Sequence, residues 1–431
     1  MARKMKDSGI EWIGEIPEGW EVAKLKNIVS IVRGGSPRPI EAYMSDNDND
    51  VNWIRISDTE KGSKYITHTS RKLIASGISK SRFIKRGSLI LTNSMSFGEP
   101  YILDIDGCIH DGWVAFSDFK KIDKEFLYYF LTSPLAKIQF EQQVDGGVVK
   151  NLNIDKIGDT VILLPSLIDQ NKIIAHLDSL TSETNSLLSK TITSIEDYKK
   201  LKQAVITQAV TKGVRGEREM KDSGVEWIGE IPEEWNKCKL KNISIDIGDG
   251  LHGTPKFDDS GEVYFINGNN FSSEYVEPKF DTKKLCLEES LNYPKPELTE
   301  QTIMISLNGS YGKVCLYRYF PMLLGKSAGY ITLLPSINRR YVRYYLSSTP
   351  AQTIMTLSLN GTTIPNLSLN TLYNFPTILP SASEQAEIAD YLDAKCAEID
   401  GLIAKKEQLV KELESYKKSL IYEVVTGKRE V

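Results

Sequence analysis

The side chains that could carry chemistry are mostly polar or basic, and they lie in short loops that contain glycine, asparagine and serine. In the first half these residues are Arg33, Ser36, Arg38, Arg55, Asn93, Ser94, Ser96 and Lys150. In the second half they are His252, Thr254, Lys256, Asn267, Asn269, Asn270, Asn308, Ser310, Tyr311, Lys313, Asn360 and Thr362. Guanidinium groups pair with guanine or phosphate, and amides pair with adenine. Gly, Asn and Ser also populate any turn, so an ordinary structural role stays open for each residue.

Sequence motifs of catalysis are not found in the chain. The triplets Asn292–Pro294 and Asn374–Pro376 lack the pattern of an adenine methyltransferase motif. The run Gly325–Ser327 resembles the end of a Walker A motif, but Phe320 stands where that motif requires glycine. We therefore expect no catalytic residue in this chain.

Cysteine and histidine are sparse and scattered. The five cysteines include no CxxC pair, and the four histidines are also far apart. This pattern predicts reduced thiols in a cytoplasmic protein, and neither a zinc centre nor another metal site.

Length and composition place further bounds on the protein. A chain of 431 residues predicts two to four domains. No apolar run reaches the length of a membrane span, and the N-terminal residues lack the apolar region of a signal peptide. The net charge of −4 counts against a DNA-binding protein that acts alone. It is compatible with DNA binding if basic residues cluster or if partner subunits supply positive charge.

One long segment occurs twice in the sequence. Met5–Trp20 and Met220–Trp235 lie 215 residues apart and differ at two positions. The same offset relates Pro165 to Pro380 farther along the chain, whereas the residues between these matches diverge. The matching segments indicate a common structural frame, and the divergent residues between them indicate different surfaces. This pattern predicts two related modules that bind different ligands.

Each half begins with a mixed α/β pattern that includes short strands and a short helix. The predicted strands are Val51–Ile56, Ser88–Thr92, Tyr101–Asp104, Trp113–Phe116, Val263–Ile266, Thr302–Ser306, Lys313–Tyr317 and Gly329–Leu334. The predicted short helices are Lys124–Leu131 and Arg340–Leu346. Glycine-containing loops follow at 144–151 and 359–366.

Each half ends in a long segment without proline that predicts one helix of about 60 Å. These segments run from about Leu167 to Thr211 and from Ser383 to Val425. A heptad seam is expected at Ile173, Leu177, Leu180, Thr184, Leu187, Thr191, Ser194, Tyr198, Leu201 and Val205, and at Ile388, Leu392, Lys395, Ile399, Leu402, Lys406, Leu409, Leu413, Tyr416 and Leu420. A single apolar stripe requires a partner. Antiparallel pairing within the chain is favoured over docking on the adjacent domain or homodimerisation. The matching chain ends are expected to lie close together.

The arrangement of repeat, variable domain and long helix resembles the DNA-specificity subunit of Type I restriction–modification systems. The segments that carry the resemblance are Ser8–Trp20, Ser223–Trp235, Leu379–Asp393 and Leu409–Ile421. The resemblance implies an α+β fold with two mixed α/β target-recognition domains, joined by two long antiparallel coiled-coil helices in a pseudo-two-fold internal repeat. It implies that each domain reads one half of a bipartite, asymmetric DNA target and that the helices set the spacer. The polar loop residues named above thereby become candidates for DNA contact.

The expected domains are 1–165 and 213–380, each a repeat segment with a recognition domain, followed by the spacer helices 166–212 and 381–431. The implied partners are double-stranded DNA, two modification subunits and the restriction subunits. No cofactor is expected in this chain, because S-adenosylmethionine, ATP and Mg²⁺ would serve the partners. We expect the repeated tryptophans to be packing anchors between the helix end and the domain: Trp12, Trp20, Trp227 and Trp235. The alternatives are a bivalent DNA-binding regulator and a coiled-coil adaptor that binds proteins, both without enzymatic partners.

Overall fold

The chain folds into two compact units. The computed structural model describes residues 3–11, 13–60, 62–94, 97–143, 152–359 and 365–431. The first unit comprises 1–192 together with 407–431, and the second comprises 193–406. Among the described residues, no helix is long and apolar enough to cross a membrane.

The first half contains fourteen named strands and six named helices within the described residues. The strands are β1 Met5–Asp7, β2 Glu15–Pro17, β3 Glu21–Lys24, β4 Ser30–Arg33, β5 Met44–Ser45, β6 Val51–Ile54, β7 Tyr65–Ile66, β8 Lys72–Leu73, β9 Arg82–Ile84, β10 Leu89–Thr92, β11 Pro100–Leu103, β12 Gly107–Ile109, β13 Trp113–Ser117 and β14 Val161–Leu164. The helices are α1 Leu25–Ile28, α2 Ala75–Ile78, α3 Lys124–Thr132, α4 Pro134–Gln143, α5 Ile154–Gly158 and α6 Leu167–Lys212.

The second half repeats this order with fewer short strands. Its strands are β15 Met220–Asp222, β16 Glu230–Pro232, β17 Asn236–Lys239, β18 Ser244–Asp249, β19 Val263–Ile266, β20 Lys284–Leu285, β21 Thr302–Ser306, β22 Val314–Leu316, β23 Met322–Leu324, β24 Ala328–Leu333 and β25 Pro376–Leu379. Its helices are α7 Leu287–Leu291, α8 Arg339–Ser347, α9 Thr349–Leu357, α10 Leu369–Tyr373 and α11 Ala382–Val425. Short 3₁₀ helices lie at Ile40–Tyr43, Ile56–Asp58, Leu240–Asn242 and Gly268–Asn270.

Two main sheets form the mixed α/β domain of each unit. In the first unit the strand orders are β4-β13-β10-β11-β7 and β5-β8-β6-β12-β9. In the second unit they are β18-β24-β21-β22 and β20-β19-β23. The central strands β10 and β21 are buried along their whole length, as an apolar run between two packed layers should be. The predicted strands and short helices are confirmed, with ends that shift by one or two residues.

The repeated segment forms the same antiparallel hairpin in both units. Strand β1 pairs with β2 in the register Met5↔Pro17, and β15 pairs with β16 in the register Met220↔Pro232. Trp20 follows the first hairpin and is buried. The packing role expected for Trp20 and for its counterpart Trp235 is confirmed, since Trp235 is fully buried as well.

Two other tryptophans were expected to be packing anchors. For Trp227 this expectation is wrong, because the side chain is 48% exposed at a turn of the second hairpin. Its matching residue, Trp12, lies outside the described residues.

The two long helices run antiparallel within each unit, as expected. In the second unit Tyr198 faces Lys406, whereas Lys202, one turn farther along α6, pairs with Asp400 at 2.6 Å. In the first unit Lys417 donates to Asn185 at 2.7 Å. Residue numbers that rise along α6 therefore meet falling numbers along α11.

The expected heptad seam is wrong over parts of both helices. Leu187, Leu201, Leu409 and Tyr416 are between 37% and 49% exposed, whereas Ile195 is buried. The buried positions recur near the ~3.6-residue period of a straight helix, and a strict ~3.5-residue repeat drifts away from that face by about 20° per heptad. The heptad reading therefore loses register along the roughly 60 Å length of each helix.

A buried glutamine ties the start of each long helix to its domain. The Gln170 side chain accepts from the backbone N–H of Asp123 at 2.7 Å and donates to the carbonyl oxygen of Pro165 at 3.0 Å. Gln385 accepts in the same way from the N–H of Asn338 at 3.0 Å. Asp123 and Asn338 are the N-cap residues of α3 and α8. One amide therefore fixes the distance between the short and the long helix in each unit.

Replacing this amide should destabilise the first unit. Gln170→Ala leaves the partly buried N–H of Asp123 and the buried carbonyl oxygen of Pro165 without their partner, which costs about 1–3 kcal/mol. Thermal unfolding followed by circular dichroism should show a lower melting temperature. The control is Asn171→Ala at the neighbouring exposed helix position, which should change the melting temperature little. Equal effects of the two substitutions would contradict the proposed tie.

Candidate nucleic-acid interface

In the first unit, two loops meet where strand β4 ends and strand β13 begins. Arg33 is the last residue of β4, and the N–H of Gly34 donates to the carbonyl oxygen of Trp113 at 2.9 Å. A Cβ atom at Gly34 would overlap the carbonyl oxygen of His110. The approach of the two backbones therefore requires glycine. It brings the loop after β4 against the turn before β13.

Four residues expected to contact DNA converge on Asp111 in that turn. Ser36 Oγ donates to Asp111 Oδ1 at 2.6 Å, and Arg38 lies 3.7 Å from Oδ2. The backbone carbonyl oxygen of Asp111 accepts from Arg33 Nε at 2.9 Å and from Asn93 Nδ2 at 3.3 Å. We call Arg33, Ser36, Arg38, Asn93 and Asp111 the Asp111 cluster.

The charges at this turn follow from hydrogen bonding and burial. The hydrogen bond from Ser36 lowers the pKa of Asp111 from its ordinary value, aided by a backbone hydrogen bond and by the nearby charge of Arg33. Burial lowers the pKa of His110, so its imidazole is neutral at neutral pH. The N–H of Gly112 donates to His110 Nδ1 at 2.8 Å, which makes Nδ1 the acceptor of the ring. An anionic carboxylate therefore lies beside a neutral histidine.

A cleft of about 600 Å³ opens beside the Asp111 cluster. Its lining residues are Ser36, Pro37, Arg38, Pro39, Ile40, Trp53, Arg55, Ile56, Ser57 and His110. Arg55 at its edge is held by Ser70 and by the nearly buried Asp58, whose Oδ1 lies 3.4 Å from Arg55 Nη2. Arg38, in contrast, is 82% exposed. The cleft therefore has one guanidinium group held by neighbouring side chains and one that is largely exposed at its margin.

The second unit carries an acidic residue at the position of Arg33. Asp249 ends β18 and pairs with Gly329, as Arg33 pairs with Val114. Asp249 Oδ2 lies 2.7 Å from His252 Nε2.

The loop that follows Asp249 is open to solvent. His252, Thr254 and Lys256 are exposed, and the backbone N–H of Lys256 donates to Glu289 at 3.0 Å. Gly250 repeats the close approach of Gly34, since a Cβ there would overlap the backbone of Leu324. The side chains of this loop are therefore available for contact while its base is fixed.

The three asparagines after β19 have different surroundings. Asn270 is 2% exposed, and its Nδ2 donates to Thr282 Oγ1 at 2.8 Å. Asn267 Oδ1 accepts from Ser327 Oγ at 3.0 Å. Asn269 is exposed at the tip of the turn. In this structure Asn270 braces the neighbouring loop, and Asn269 is the asparagine placed for contact.

The loop after the central strand has the same turn in both units. The N–H of Gly98 donates to Thr92 and that of Gly312 donates to Ser306, at 2.7 and 2.8 Å. Both glycines have positive φ, near 82° and 73°. The expected repeated turn is therefore confirmed, and a residue with a Cβ would be strained there.

Several candidate DNA-contacting residues around this turn are held by burial or by hydrogen bonds within their own units. Asn93 is 2% exposed, because its amide supports the Asp111 turn, and Ser94 is half-buried. Asn308 is half-buried and forms an isolated bridge with Asn366. Tyr311 donates to Thr356 at 3.3 Å.

The remaining candidates divide into two groups. Ser310 and Lys313 are exposed. Ser96, Lys150, Asn360 and Thr362 lie outside the described residues.

Residues that sequence reasoning missed give the site its acidic character. Residue type alone does not point to Asp111 or Asp249, because a carboxylate is an unfavourable contact for phosphate. The sequence feature that could have pointed to Asp111 is the turn His110–Gly112, which lies between two apolar strands. Among the described residues, no group of three or more His, Cys, Asp or Glu side chains could hold a metal.

These features define a duplicated recognition scaffold with different polar loops in its two copies. The profile of the type I restriction modification DNA specificity domain matches the chain twice, at residues 17–197 and 232–412. Since these matches cover most of the sequence, the chain belongs to this family.

Curated relatives match over nearly the whole chain. The type I restriction enzyme MjaVIII specificity subunit of Methanocaldococcus jannaschii is 26% identical over 96% of this chain and 93% of its own length. The EcoBI specificity subunit of Escherichia coli is 22% identical over 93% of this chain and 84% of its own length. These relatives are named as specificity subunits of restriction enzymes.

Solved structures share the fold. A chain from a structural study of assembly and conformational transition in the type I R-M system has a TM-score of 0.73 at 18% identity, covering 96% of this chain and 99% of its own. The HsdS subunit of Thermoanaerobacter tengcongensis has a TM-score of 0.51 at 17% identity, covering 96% and 98%. The α+β fold with two repeated domains and long helices is that of these proteins.

Gly34 should tolerate no side chain. Gly34→Ala places a methyl group against the carbonyl oxygen of His110, so the two loops must separate. Overpacking of this kind costs about 1–3 kcal/mol, and the melting temperature should fall. The control is Gly35→Ala, whose Cβ would lie 3.7 Å from its nearest neighbour, an ordinary contact. A Gly34→Ala protein as stable as the Gly35→Ala protein would show that the loops adapt freely.

Proposed function

We propose that this chain is the subunit that gives a type I restriction–modification complex its DNA sequence specificity, with each unit reading one half of a bipartite, asymmetric target. The observation that carries this proposal is the chemical difference between equivalent loops on one duplicated frame. Arg33 and Asp111 of the first unit correspond to Asp249 and Lys326 of the second, as the strand pairings align them. Identical half-sites would require similar reading loops, and these loops carry opposite charges.

The proposed contacts come from loop residues that are exposed, except for Ser36 and Arg55, which are half-buried. In the first unit they are Arg33, Ser36, Arg38 and Arg55, and in the second they are His252, Thr254, Lys256, Asn269, Ser310 and Lys313. Arginine reads guanine bidentately, and asparagine reads adenine in the same way. Lysines that bind phosphate fix the register without reading sequence. We leave out Asn270 and Asn93, because each is buried and supports its own loop.

The proposed protein partners are two modification subunits, and through them the restriction subunits. The long helices leave apolar residues exposed beyond what their own packing requires: Leu187, Ile192, Leu201, Leu409 and Tyr416. Contiguous exposed apolar surface is typical of a protein-binding site, and we propose that these side chains on the two helices contribute to one. Trp227 of the second hairpin, which is 48% exposed, is a separate candidate for such a contact. Adenine methylation with S-adenosylmethionine and ATP-dependent cleavage with Mg²⁺ belong to these partners, so this chain is non-catalytic and holds no cofactor.

Co-purification distinguishes this proposal from the two alternatives. A specificity subunit purified from its host should bring a methyltransferase-sized protein with it. A bivalent regulator would bind its DNA without such a partner, and an adaptor would bind proteins without sequence-specific DNA binding.

The two domains should read DNA independently. Replacing 22–165 with the matching domain of a relative should change one half of the methylated motif and leave the other half unchanged. The measurement is sequencing of methylated adenines in cells that carry the hybrid chain and the modification subunit. The reciprocal replacement of 236–380 is the matched control and should change the other half. A change in both halves, or in neither, would contradict modular reading.

The length of the helices should set the spacer between the half-sites. The division between the two units falls after Ile192 on α6 and after Lys406 on α11. Four residues inserted at both places lengthen each helix by roughly 6 Å, and one DNA step is about 3.4 Å. The preferred spacer should therefore grow by about one or two base pairs.

The assay is methylation of a DNA library with fixed half-sites and a variable spacer. DNA bending and twisting can absorb part of the added length, at a cost of about 1–6 kcal/mol, so the whole optimum should be mapped. The control carries alanine substitutions at Thr193 and Glu407, the exposed positions that follow the two insertion points, without insertion. An active insertion variant with the original spacer optimum would show that another feature sets the distance.

A further inference from the structure

The carboxylate of Asp111 lies inside a group of donors that would otherwise face DNA unopposed. Its Oδ1 is 2.6 Å from Ser36 Oγ, and its Oδ2 is 3.7 Å from Arg38. The Arg38 side chain is 82% exposed and that of Asp111 is 43% exposed, so both reach solvent. Arg33 is held more tightly, through the backbone carbonyl oxygen of Asp111 at 2.9 Å.

We propose that Asp111 is a positioning residue that gives the first domain its sequence selectivity by withholding Arg38 from phosphate. This inference rests on the proposed function. A carboxylate repels a phosphate group at close range, whereas an uncharged base edge meets no such repulsion. Phosphate contacts carry no sequence information directly, and base contacts do. Arg38 leaves Asp111 only where the acceptors of a base edge replace the carboxylate as its partner.

The geometry suits a reversible hold. An exposed ion pair contributes at most about 1 kcal/mol, and the 3.7 Å separation of Arg38 from Asp111 is longer than a hydrogen bond. A bidentate contact to guanine discriminates by about 1–3 kcal/mol. The correct base edge therefore outweighs the pair with Asp111.

The second unit also places a carboxylate at the loop that follows its close-approach glycine. Ser36 and His252 each follow the close-approach glycine by two residues, and each binds a carboxylate. The acceptor of His252 is Asp249 of its own loop, whereas that of Ser36 is Asp111 of the facing turn. The position equivalent to Asp111 is Lys326, which is exposed. A carboxylate at the reading loop is therefore common to both units, although its position in the sequence differs.

The test uses this chain assembled with its modification subunit and the methylated motif found for the unaltered complex. Binding is measured against salt concentration on two duplexes, one with the full motif and one with the first half-site scrambled. Asp111→Asn keeps the size of the side chain and an acceptor for Ser36. It should tighten binding to the scrambled duplex and steepen the salt dependence there by a slope of about 1, one added phosphate contact. Discrimination at the first half-site should fall about tenfold.

A double-mutant cycle identifies Arg38 as the residue through which Asp111 acts. Arg38→Ala alone should leave the salt slope on the scrambled duplex unchanged, because Asp111 already keeps Arg38 from phosphate. In the Asp111→Asn background, Arg38→Ala should remove the added slope of about 1. Arg38 is exposed, so this arm does not depend on a fragile fold. A fall in slope with Arg38→Ala alone would overturn the proposal.

Asp118→Asn is the matched control, since Asp118 follows the opposite end of strand β13 from Asp111, roughly 20 Å along the chain. Asparagine tolerates its φ of 50°. This variant should leave both the slope and the discrimination unchanged. If Asp111→Asn weakens binding to both duplexes equally, or changes neither, Asp111 has a structural role only and the inference fails. The proposed function fails separately, if the unaltered complex does not discriminate the scrambled duplex from the motif.

Discussion

The apolar face of each long helix must be kept from water, and the rest of the fold is built around this requirement. An isolated helix with a single apolar stripe is marginal in water. In the first unit, Leu177 of α6 and Val424 of α11 share one buried cluster with Trp20 and with the aromatic face of α3. The second unit contains the equivalent cluster around Trp235. The repeated hairpin, the short helix and both long helices therefore form one packing unit, and a change in any of them exposes the others.

This shared frame explains why the two copies keep some residues and vary others. Gln170 and Gln385 lie where the frame closes, and each satisfies buried backbone groups that no apolar side chain could satisfy. The reading loops lie at strand ends, where the backbone needs glycine at one position and leaves the next side chains free. Gly34 and Gly250 meet this need in both units, whereas the neighbouring residues Arg33 and Asp249 differ in charge. Duplication of the frame with divergence of the loops therefore places two chemically different loop surfaces on one chain.

Much of the fold could be predicted from the sequence, because local signals were strong. Strand β21 is predicted by the apolar run at Thr302–Ser306, and helix α6 by the proline-free segment after Pro165. Both predictions match the structure within a residue or two. The helical seam was predicted less well, since a small error in period accumulates over roughly 60 Å and moves Leu187 and Leu201 to the surface.

The sequence indicates which loops form the candidate site, but it does not indicate which side chains interact within it. Arg33, Ser36 and Arg38 were selected by residue type, and the structure brings them together. Their common partner Asp111 comes from another strand end, 75 residues after Ser36, and no local pattern links the two. Asn270 shows the converse, since an amide suited to adenine is equally suited to bracing a turn, as its bond to Thr282 does in this structure. Tertiary pairing decides which of these roles a polar side chain takes.

The two copies of the frame also differ in how their buried tryptophan is satisfied. Trp235 Nε1 donates to the buried carboxylate of Glu384 at 2.9 Å, and Arg218 lies 2.6 Å from the same carboxylate. In the first copy the matching residue is Asp169, one methylene shorter, which accepts instead from Ser166 at 2.9 Å. Trp20 Nε1 has no hydrogen-bond partner among the described residues. A buried ion pair offsets much of its own desolvation cost, so its main contribution is to fix one geometry. In the second copy, polar contacts to Glu384 hold the buried tryptophan after the hairpin. In the first copy, the equivalent tryptophan is held by apolar packing.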